Sequence, residues 1–186
     1  QVRLLNGAQL DLGGIGKGFA TDAAAAMLDG TQGVLATLGG NIGAYGENPN
    51  RDSGNWVVGI ADPDDNAAFI ATVEVRDLSV VTSGDYERYF EQDGKRYHHI
   101  FDPATGYPAD SGLRSVTVID ESSTRADALT TALFVMGLEE GMAFCEQNDI
   151  AAVFVTADKQ VHVTDKVGEV CTFAFLGEEK GYTHAQ

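Results

Sequence analysis

The segment from Ser122 to Gly137 constrains the fold more than any other, because it predicts a helix that is apolar on nearly all sides. Hydroxyl residues open the segment, a glycine closes it, and good helix formers fill the middle, which predicts about three helical turns. A helix of this kind is buried. Its polar side chains after the first turn are Asp127, Thr130 and Thr131.

Asp127 and Thr131 are four residues apart, so they lie side by side on one face of the predicted helix. A carboxylate taken out of water needs a charge, several donors or a metal. The pair therefore suggests two oxygen ligands for a hard cation such as Mg²⁺. The alternative is a capping box, in which Asp127 reaches back to the backbone of Thr124. The segment alone leaves both interpretations open.

Strands are predicted in runs with helices grouped between them, which favours an α+β fold with a largely antiparallel sheet and helices grouped on it. Helices are predicted at residues 19–28 (closed by Asp29-Gly30), 122–137 and 138–147. Strands are predicted at residues 2–5, 8–12, 33–38, 56–60, 69–75, 78–81, 86–90, 95–101, 115–119, 150–156, 160–163 and 169–175. The first two would form a hairpin through Asn6-Gly7, and the tail after Gly177 is predicted to fray.

Length and charge narrow the class of protein. The 186 residues favour a single domain over 1–186, and 12 basic against 28 acidic residues give a net charge of -16. This charge argues against a nucleic acid or an anionic membrane as partner, because both require a basic patch. Cys145 and Cys171 lack CxxC spacing and could form a disulfide or remain two thiols.

Residues 11–18 (DLGGIGKG) are a glycine-rich segment between a predicted strand and a predicted helix. The segment is not a P-loop, because Asp11 and Gly18 stand where glycine and Ser or Thr are required. It is not a Rossmann fingerprint, because Phe19 replaces the last glycine. Bare amides, a helix N-terminus and the Lys17 ammonium can together bind a diphosphate, whereas the alternative is a tight turn that needs glycine dihedrals.

Two adjacent histidines, His98 and His99, face opposite sides of a predicted strand and cannot share a metal. Because the other two histidines are remote in sequence, a zinc site is not expected. The strand breaks at Asp102-Pro103, so one of the pair can project into a cleft as a proton-transfer group. The alternative is an ordinary surface histidine.

Taken in order, five stretches resemble the ApbE-type flavin transferases, enzymes that move FMN from FAD onto a protein hydroxyl. The matching stretches are residues 11–22 (DLGGIGKGFATD), 38–46 (LGGNIGAYG), 82–90 (TSGDYERYF), 97–106 (YHHIFDPATG) and 115–137. Together they cover roughly residues 8–140 in the order that the family has them.

The resemblance implies a set of site residues. Mg²⁺ would be held by the side chains of Asp127 and Thr131 and by the backbone carbonyl of Gly14, and it would bridge the FAD diphosphate. The residues that would contact FAD are Asp11, Lys17, and the backbone around His99 and Ile100.

The resemblance also implies an activity. A Thr or Ser hydroxyl of an acceptor protein would attack the FMN phosphorus of FAD and release AMP, with His99 and Asp127 as the catalytic residues and His99 as the candidate base. A flavin-binding module or electron carrier without transferase activity, and a Mg²⁺-dependent FAD pyrophosphatase, stay open as alternatives. Family members are longer, so we expect a fragment or a second chain that supplies the preceding part. The expected location is the periplasm or the extracytoplasmic face of a bacterial membrane.

Overall fold

The structure, a computed structural model, describes residues 2–28 and 33–185. The helices are α1 (Gly16–Met27), α2 (Ser123–Met136), α3 (Leu138–Gln147) and α4 (Asp165–Val170). The strands are β1 (Gly33–Leu38), β2 (Asn41–Gly46), β3 (Trp56–Asp62), β4 (Asp65–Val75), β5 (Leu78–Gly84), β6 (Tyr89–Gln92), β7 (Lys95–His98), β8 (Leu113–Asp120), β9 (Ala151–Thr156), β10 (Gln160–Val163), β11 (Thr172–Phe175) and β12 (Thr183–Ala185).

Most of the strands form one seven-stranded sheet with the order β1-β2-β5-β8-β9-β10-β12. A three-stranded sheet has the order β11-β4-β3, and β6 pairs with β7 as a hairpin. Among the pairings in the described residues, the one between β10 and β12 is parallel and the others are antiparallel. The prediction of an α+β fold with a largely antiparallel sheet is confirmed.

The seven-stranded sheet is covered on both faces. On one face, Val116 of β8 packs with Leu133 and Phe134 of α2. On the other face, Ile119 of β8 packs with Val73 of the three-stranded sheet. Because side chains alternate across a strand, β8 and β9 contribute to both cores, and every residue of β9 is buried. The apolar helix predicted at residues 122–137 is therefore α2, which lies against the centre of the sheet.

The predicted hairpin at residues 2–12 is wrong. Its turn is present, since Asn6 and Gly7 have φ of 56° and 72° and the Ala8 amide donates to the Leu5 carbonyl at 3.1 Å. No strand flanks that turn, and residues 2–12 are exposed throughout. A two-stranded ribbon without a face to pack against has little stability of its own, so turn chemistry alone does not make a hairpin.

The C-terminal part departs from the prediction in two places. The strand predicted to begin at residue 169 begins at Thr172 instead, because residues 169 and 170 are the last two of helix α4. Val167 of this helix is fully buried in the core between the sheets. The tail does not fray, since β12 pairs with β10 and Tyr182 is buried. The Tyr182 hydroxyl donates to the buried carboxylate of Asp62 at 2.7 Å, which ties the tail to β3.

Several smaller differences concern element ends. Helix α1 begins at Gly16, three residues before its predicted start, while the predicted stop at Asp29-Gly30 lies outside the described residues. Strand β2 lies outside the predicted strands, and β5 continues three residues beyond the predicted end, to Gly84. Cys145 and Cys171 are free thiols. Within the described residues, no helix combines the length and apolarity needed to cross a membrane.

Candidate functional site

Helices α1 and α2 cross in close contact at Gly18. A Cβ atom at this position would lie 2.3 Å from the Ser123 carbonyl oxygen and 2.7 Å from the Thr124 Cα. Any larger residue would therefore separate the two helices. Gly18, whose presence ruled out a P-loop, instead allows the N-terminus of α1 to lie directly against the N-terminus of α2.

Asp127 of α2 binds the first turn of α1. Its Oδ2 accepts a hydrogen bond from the Gly18 amide at 2.8 Å, and its Oδ1 lies 3.0 Å from the Lys17 Nζ. The side chain of Asp127 is 1% exposed, whereas that of Lys17 is 34% exposed. Asp127 is thus a buried carboxylate that pairs with one ammonium group and accepts one amide hydrogen bond. The Lys17 side chain is partly exposed, so its ammonium stays within reach of a ligand. Residue Ile15, at the N-cap of α1, has no side-chain acceptor, so Asp127 completes that helix end.

The capping-box interpretation of Asp127 is wrong, because the N-terminus of α2 has other acceptors. Ser122 is the N-cap, and its hydroxyl accepts from the Arg125 amide at 3.2 Å. The Asp22 carboxylate of α1 accepts from the amides of Ser123 at 2.8 Å and Thr124 at 2.9 Å.

Asp22 also accepts two side-chain hydrogen bonds, from the Thr124 hydroxyl at 2.6 Å and the Ser122 hydroxyl at 3.1 Å. Burial on its own raises the pKa of Asp22, but these hydrogen bonds outweigh burial and hold the pKa below its usual value. The two helices therefore cap each other: Asp127 of α2 completes α1, and Asp22 of α1 completes α2.

A row of hydroxyl groups lies beside Asp127. Thr130 donates to the Asp127 backbone carbonyl at 2.9 Å and pairs with the Ser83 hydroxyl of β5 at 2.9 Å. Thr131 lies 3.5 Å from the same Ser83 hydroxyl and is one helical turn from Asp127. Asp127 and Thr131 are therefore adjacent at the edge of β5, as the sequence predicted from their spacing.

The glycine turn before α1 is shaped by Asp11. The Asp11 Oδ1 accepts from the Gly13 amide at 2.7 Å, and the Leu12 carbonyl accepts from the Gly16 amide at 2.8 Å. Gly14 is exposed in this turn, and a Cβ added there would meet nothing within 4 Å. The backbone of Gly14 is thus bare and lies two residues before the helix end that Asp127 completes.

The two histidines differ in burial. His98 is buried, with its Nε2 3.1 Å from the Ala109 carbonyl. His99 follows β7 and is exposed, and its amide donates to the Arg88 carbonyl at 3.1 Å. Partial burial lowers the pKa of His99, and the positive charges of Arg88 and Lys17 lower it further.

Ile100, the last predicted contact residue, is buried. Its amide donates to the His98 Nδ1 at 3.3 Å, and its carbonyl accepts from the Ala109 amide at 2.9 Å. Much of the backbone at this position is therefore used to hold the end of β7.

Glu87 is a member of the site that sequence reasoning missed. The turn Gly39-Gly40 lies over the Lys17 side chain, because a Cβ at Gly39 would be 3.1 Å from the Lys17 Cδ. A Cβ at Gly40 would be 3.5 Å from the Glu87 Oε1. Burial raises the pKa of Glu87, and Lys17 acts in the opposite direction. Glu87 stands inside the matched stretch 82–90, which was the signal that could have identified it.

The donors at the α1–α2 crossing fit a hard cation. Within residues 2–28 and 33–185, no group of three or more His, Cys, Asp or Glu side chains is arranged to hold a metal. Magnesium is commonly bound by one or two carboxylates together with substrate phosphates and water. Asp127 has about four lone-pair positions, of which the bonds to Lys17 and Gly18 use two. The Asp127 carboxylate, the Thr131 hydroxyl and the exposed backbone of Gly14 each offer oxygen atoms, the ligand type that Mg²⁺ prefers.

These features define an α+β protein in which the glycine turn, the α1 N-terminus and Asp127 form one corner of the molecule. The model of the ApbE family matches residues 2–154. The chain belongs to the ApbE family.

Relatives and solved structures agree with this assignment. The chain is 46% identical over 159 residues to an FAD:protein FMN transferase of Klebsiella pneumoniae, covering 83% of this chain and 48% of that protein. It is 45% identical over 168 residues to one of Treponema pallidum, covering 85% and 46%. The crystal structure of the ApbE protein of Thermotoga maritima aligns with a TM-score of 0.80 and 38% identity, covering 89% of this chain and 54% of that one.

The apo flavinyl transferase ApbE of Pseudomonas stutzeri aligns with a TM-score of 0.74 and 41% identity, covering 87% and 51%. The chain therefore spans about half the length of the relatives that it matches.

Proposed function

We propose that this chain supplies the Mg²⁺- and FAD-binding corner of an FAD:protein FMN transferase. The observation that carries the proposal is Asp127, a buried carboxylate bonded at once to the Lys17 ammonium and to an amide at a helix N-terminus. The names of the relatives support the reaction, and the oxygen donor set supports the metal.

In this proposal, Asp127, Thr131 and the Gly14 carbonyl hold Mg²⁺, which when bound neutralises charge on the FAD diphosphate. The helix dipole at the start of α1 favours the same phosphates. Lys17, which already faces Asp127, contacts the diphosphate through its exposed ammonium. Asp11 orients FAD through the glycine turn that it shapes.

The transfer itself is a displacement at phosphorus. The acceptor Thr or Ser oxygen forms a bond to the FMN phosphorus, the bond from that phosphorus to the AMP oxygen breaks, and AMP leaves with the electron pair. The hydroxyl proton passes to an imidazole nitrogen of His99. Because the pKa of His99 is lowered, the ring is neutral near pH 7 and can accept that proton.

The decisive experiment is to incubate the chain, together with any partner segment, with FAD, Mg²⁺ and an acceptor protein. We expect AMP in solution and a covalently fluorescent acceptor band. Asp127→Asn should lower both about 100-fold or more, while Asp149→Asn, an exposed left-handed position that asparagine tolerates, should leave both unchanged.

Because Asp127→Asn also removes a helix cap, the milder Thr131→Val tests the same site through the hydroxyl alone and should raise the Mg²⁺ requirement. Full activity in both variants contradicts the site. AMP with free FMN indicates an FAD pyrophosphatase, and a stable yellow protein without AMP indicates a flavin-binding module or electron carrier. Either result would overturn the proposed transferase activity.

We further propose that a second polypeptide segment, equivalent to the part of the relatives that this chain does not span, covers the surface beside the corner. Strand β1 is an edge of the seven-stranded sheet. Large apolar side chains of this strand and of α1, which contacts it, are exposed, namely Leu35, Phe19 and Met27. Exposed apolar surface next to an open sheet edge is typical of a protein–protein interface.

From the resemblance alone we also propose an extracytoplasmic location in a bacterium. Fractionation of the native host would test it, and recovery of the protein with the cytoplasmic fraction would contradict it.

A further inference from the structure

We infer that Asp22 is a positioning residue for Asp127: it fixes the start of α2 so that the Asp127 carboxylate faces the α1 N-terminus. The metal-binding part of this inference rests on the proposed function. The geometric part stands on the contacts between the two helices.

The first step is that Asp22 holds the start of α2 at four points. Its Oδ1 accepts from the Ser123 amide, and its Oδ2 accepts from the Thr124 amide, the Thr124 hydroxyl and the Ser122 hydroxyl. These donors belong to the N-cap and the first two residues of the helix. Asp22 therefore sets both the axial position and the rotation at which α2 begins.

The second step is that this rotation decides where Asp127 points. Asp127 lies four residues after Ser123, about one helical turn later. A slip of one residue at the helix start would turn its side chain by about 100° and remove it from the Gly18 amide and the Lys17 Nζ. The direction of the Asp127 carboxylate is thus determined by a residue that is not itself one of the proposed metal ligands.

The third step is that the two helices are tied at two points on either side of their closest contact. Asp127 binds Gly18, and Asp22, one turn further along α1, binds the start of α2. The contact between Gly18 and Ser123 lies between these ties. Two ties fix the relative rotation of the helices, which a single tie would leave free.

Asp120 provides a matched control at the same helix end. Its Oδ1 accepts from the Ser122 amide at 2.9 Å, and its Oδ2 pairs with the Arg125 Nη1 at 2.5 Å. It thus places a second carboxylate at the N-terminus of α2, but it binds no residue of α1 in the contacts of the described residues. Asp120→Asn and Asp22→Asn remove the same charge from the same helix end.

The experiment measures two quantities in the purified chain: the hydrogen-exchange rate of the Gly18 amide by NMR, and the dissociation constant for Mg²⁺ alone by calorimetry. We expect Asp22→Asn to speed exchange at Gly18 about tenfold or more and to raise the dissociation constant about 10- to 100-fold. Asp120→Asn should change neither, although both variants lower the melting temperature. Thr124→Val, which removes one donor to Asp22 and keeps the carboxylate, should shift both quantities in the same direction by less.

The inference is overturned if the two Asp→Asn variants lower the melting temperature alike and leave Gly18 exchange and Mg²⁺ binding unchanged. If the unmodified chain does not bind Mg²⁺ while Asp22→Asn still speeds exchange at Gly18, the positioning role is supported and the magnesium part of the proposed function fails. The two failures are therefore distinguishable.

Discussion

Gly18 shows how one missing side chain decides the geometry of a site. Alanine is the better helix former by about 1 kcal/mol, but its Cβ would lie 2.3 Å from the Ser123 carbonyl oxygen. We therefore expect Gly18→Ala to destabilise the protein by about 1–3 kcal/mol in urea unfolding and to weaken the pairing of Lys17 with Asp127. Gly16→Ala is the control, because a Cβ there meets nothing within 4 Å. Equal stability of the two variants would contradict the close crossing.

The pH dependence of transfer should report on His99. A base must be neutral, and the lowered pKa of His99 places its protonation below the usual value of 6.5. We expect kcat/KM to be constant near pH 7 and to fall only as the pH drops below about 6.5. His99→Asn should lower the rate about 10²- to 10⁴-fold and abolish the fall of kcat/KM at low pH (the acid limb). His184→Asn, in β12, should change neither the rate nor the acid limb. An unchanged acid limb in His99→Asn would assign the proton to another group.

Residues whose role follows from local spacing could be predicted, and those whose role depends on distant partners could not. Asp127 and Thr131 stand out because they are polar inside an apolar helix, and Lys17 because it follows a glycine turn. Asp22 binds residues 100 to 102 positions away, so its role does not follow from its neighbours in the sequence, although it lies in the matched stretch 11–22. Glu87 lies beside the turn Gly39-Gly40, which is distant in sequence, and only the matched stretch 82–90 pointed to it.

At the scale of elements, the strongly patterned segments were predicted well. β1, α3 and β10 were predicted with their observed bounds, and α2 within a residue. Errors arose where packing overrides local signals: α4 forms because Val167 enters the core, and β12 forms because β10 offers a free edge. The single domain over 1–186 stays a prediction.

The tail makes a testable contribution to stability through Tyr182. Its hydroxyl donates to the buried carboxylate of Asp62, which Tyr182→Phe would leave short of a partner. We expect this variant to lose about 1.5–3 kcal/mol in urea unfolding, the usual range for a hydrogen bond to a charged group. Tyr107→Phe is the control. Because Tyr107 is 70% exposed, this substitution should leave the free energy of unfolding nearly unchanged. Equal loss would show that the tail does not secure β3.

For the whole molecule, the open edge at β1 makes a prediction about assembly. Leu35 in β1 and Val57 in β3 are similarly exposed, at 45% and 39%. If a second segment covers the β1 edge, Leu35→Lys should weaken its binding at least about tenfold, since burying a charge in an apolar interface is costly. Val57→Lys should not weaken it. Pull-down with a segment taken from the uncovered part of a relative measures both, and equal binding of the two variants would exclude this edge.

The mutual capping of α1 and α2 has a consequence for biosynthesis. The Gly18 amide donates to the carboxylate of Asp127, which lies 109 residues later in the chain. At about 5–20 residues per second, a ribosome delivers Asp127 on the order of ten seconds after Gly18. During that interval α1 emerges with its leading end uncapped, so the paired ends of α1 and α2 cannot form until translation has passed α2.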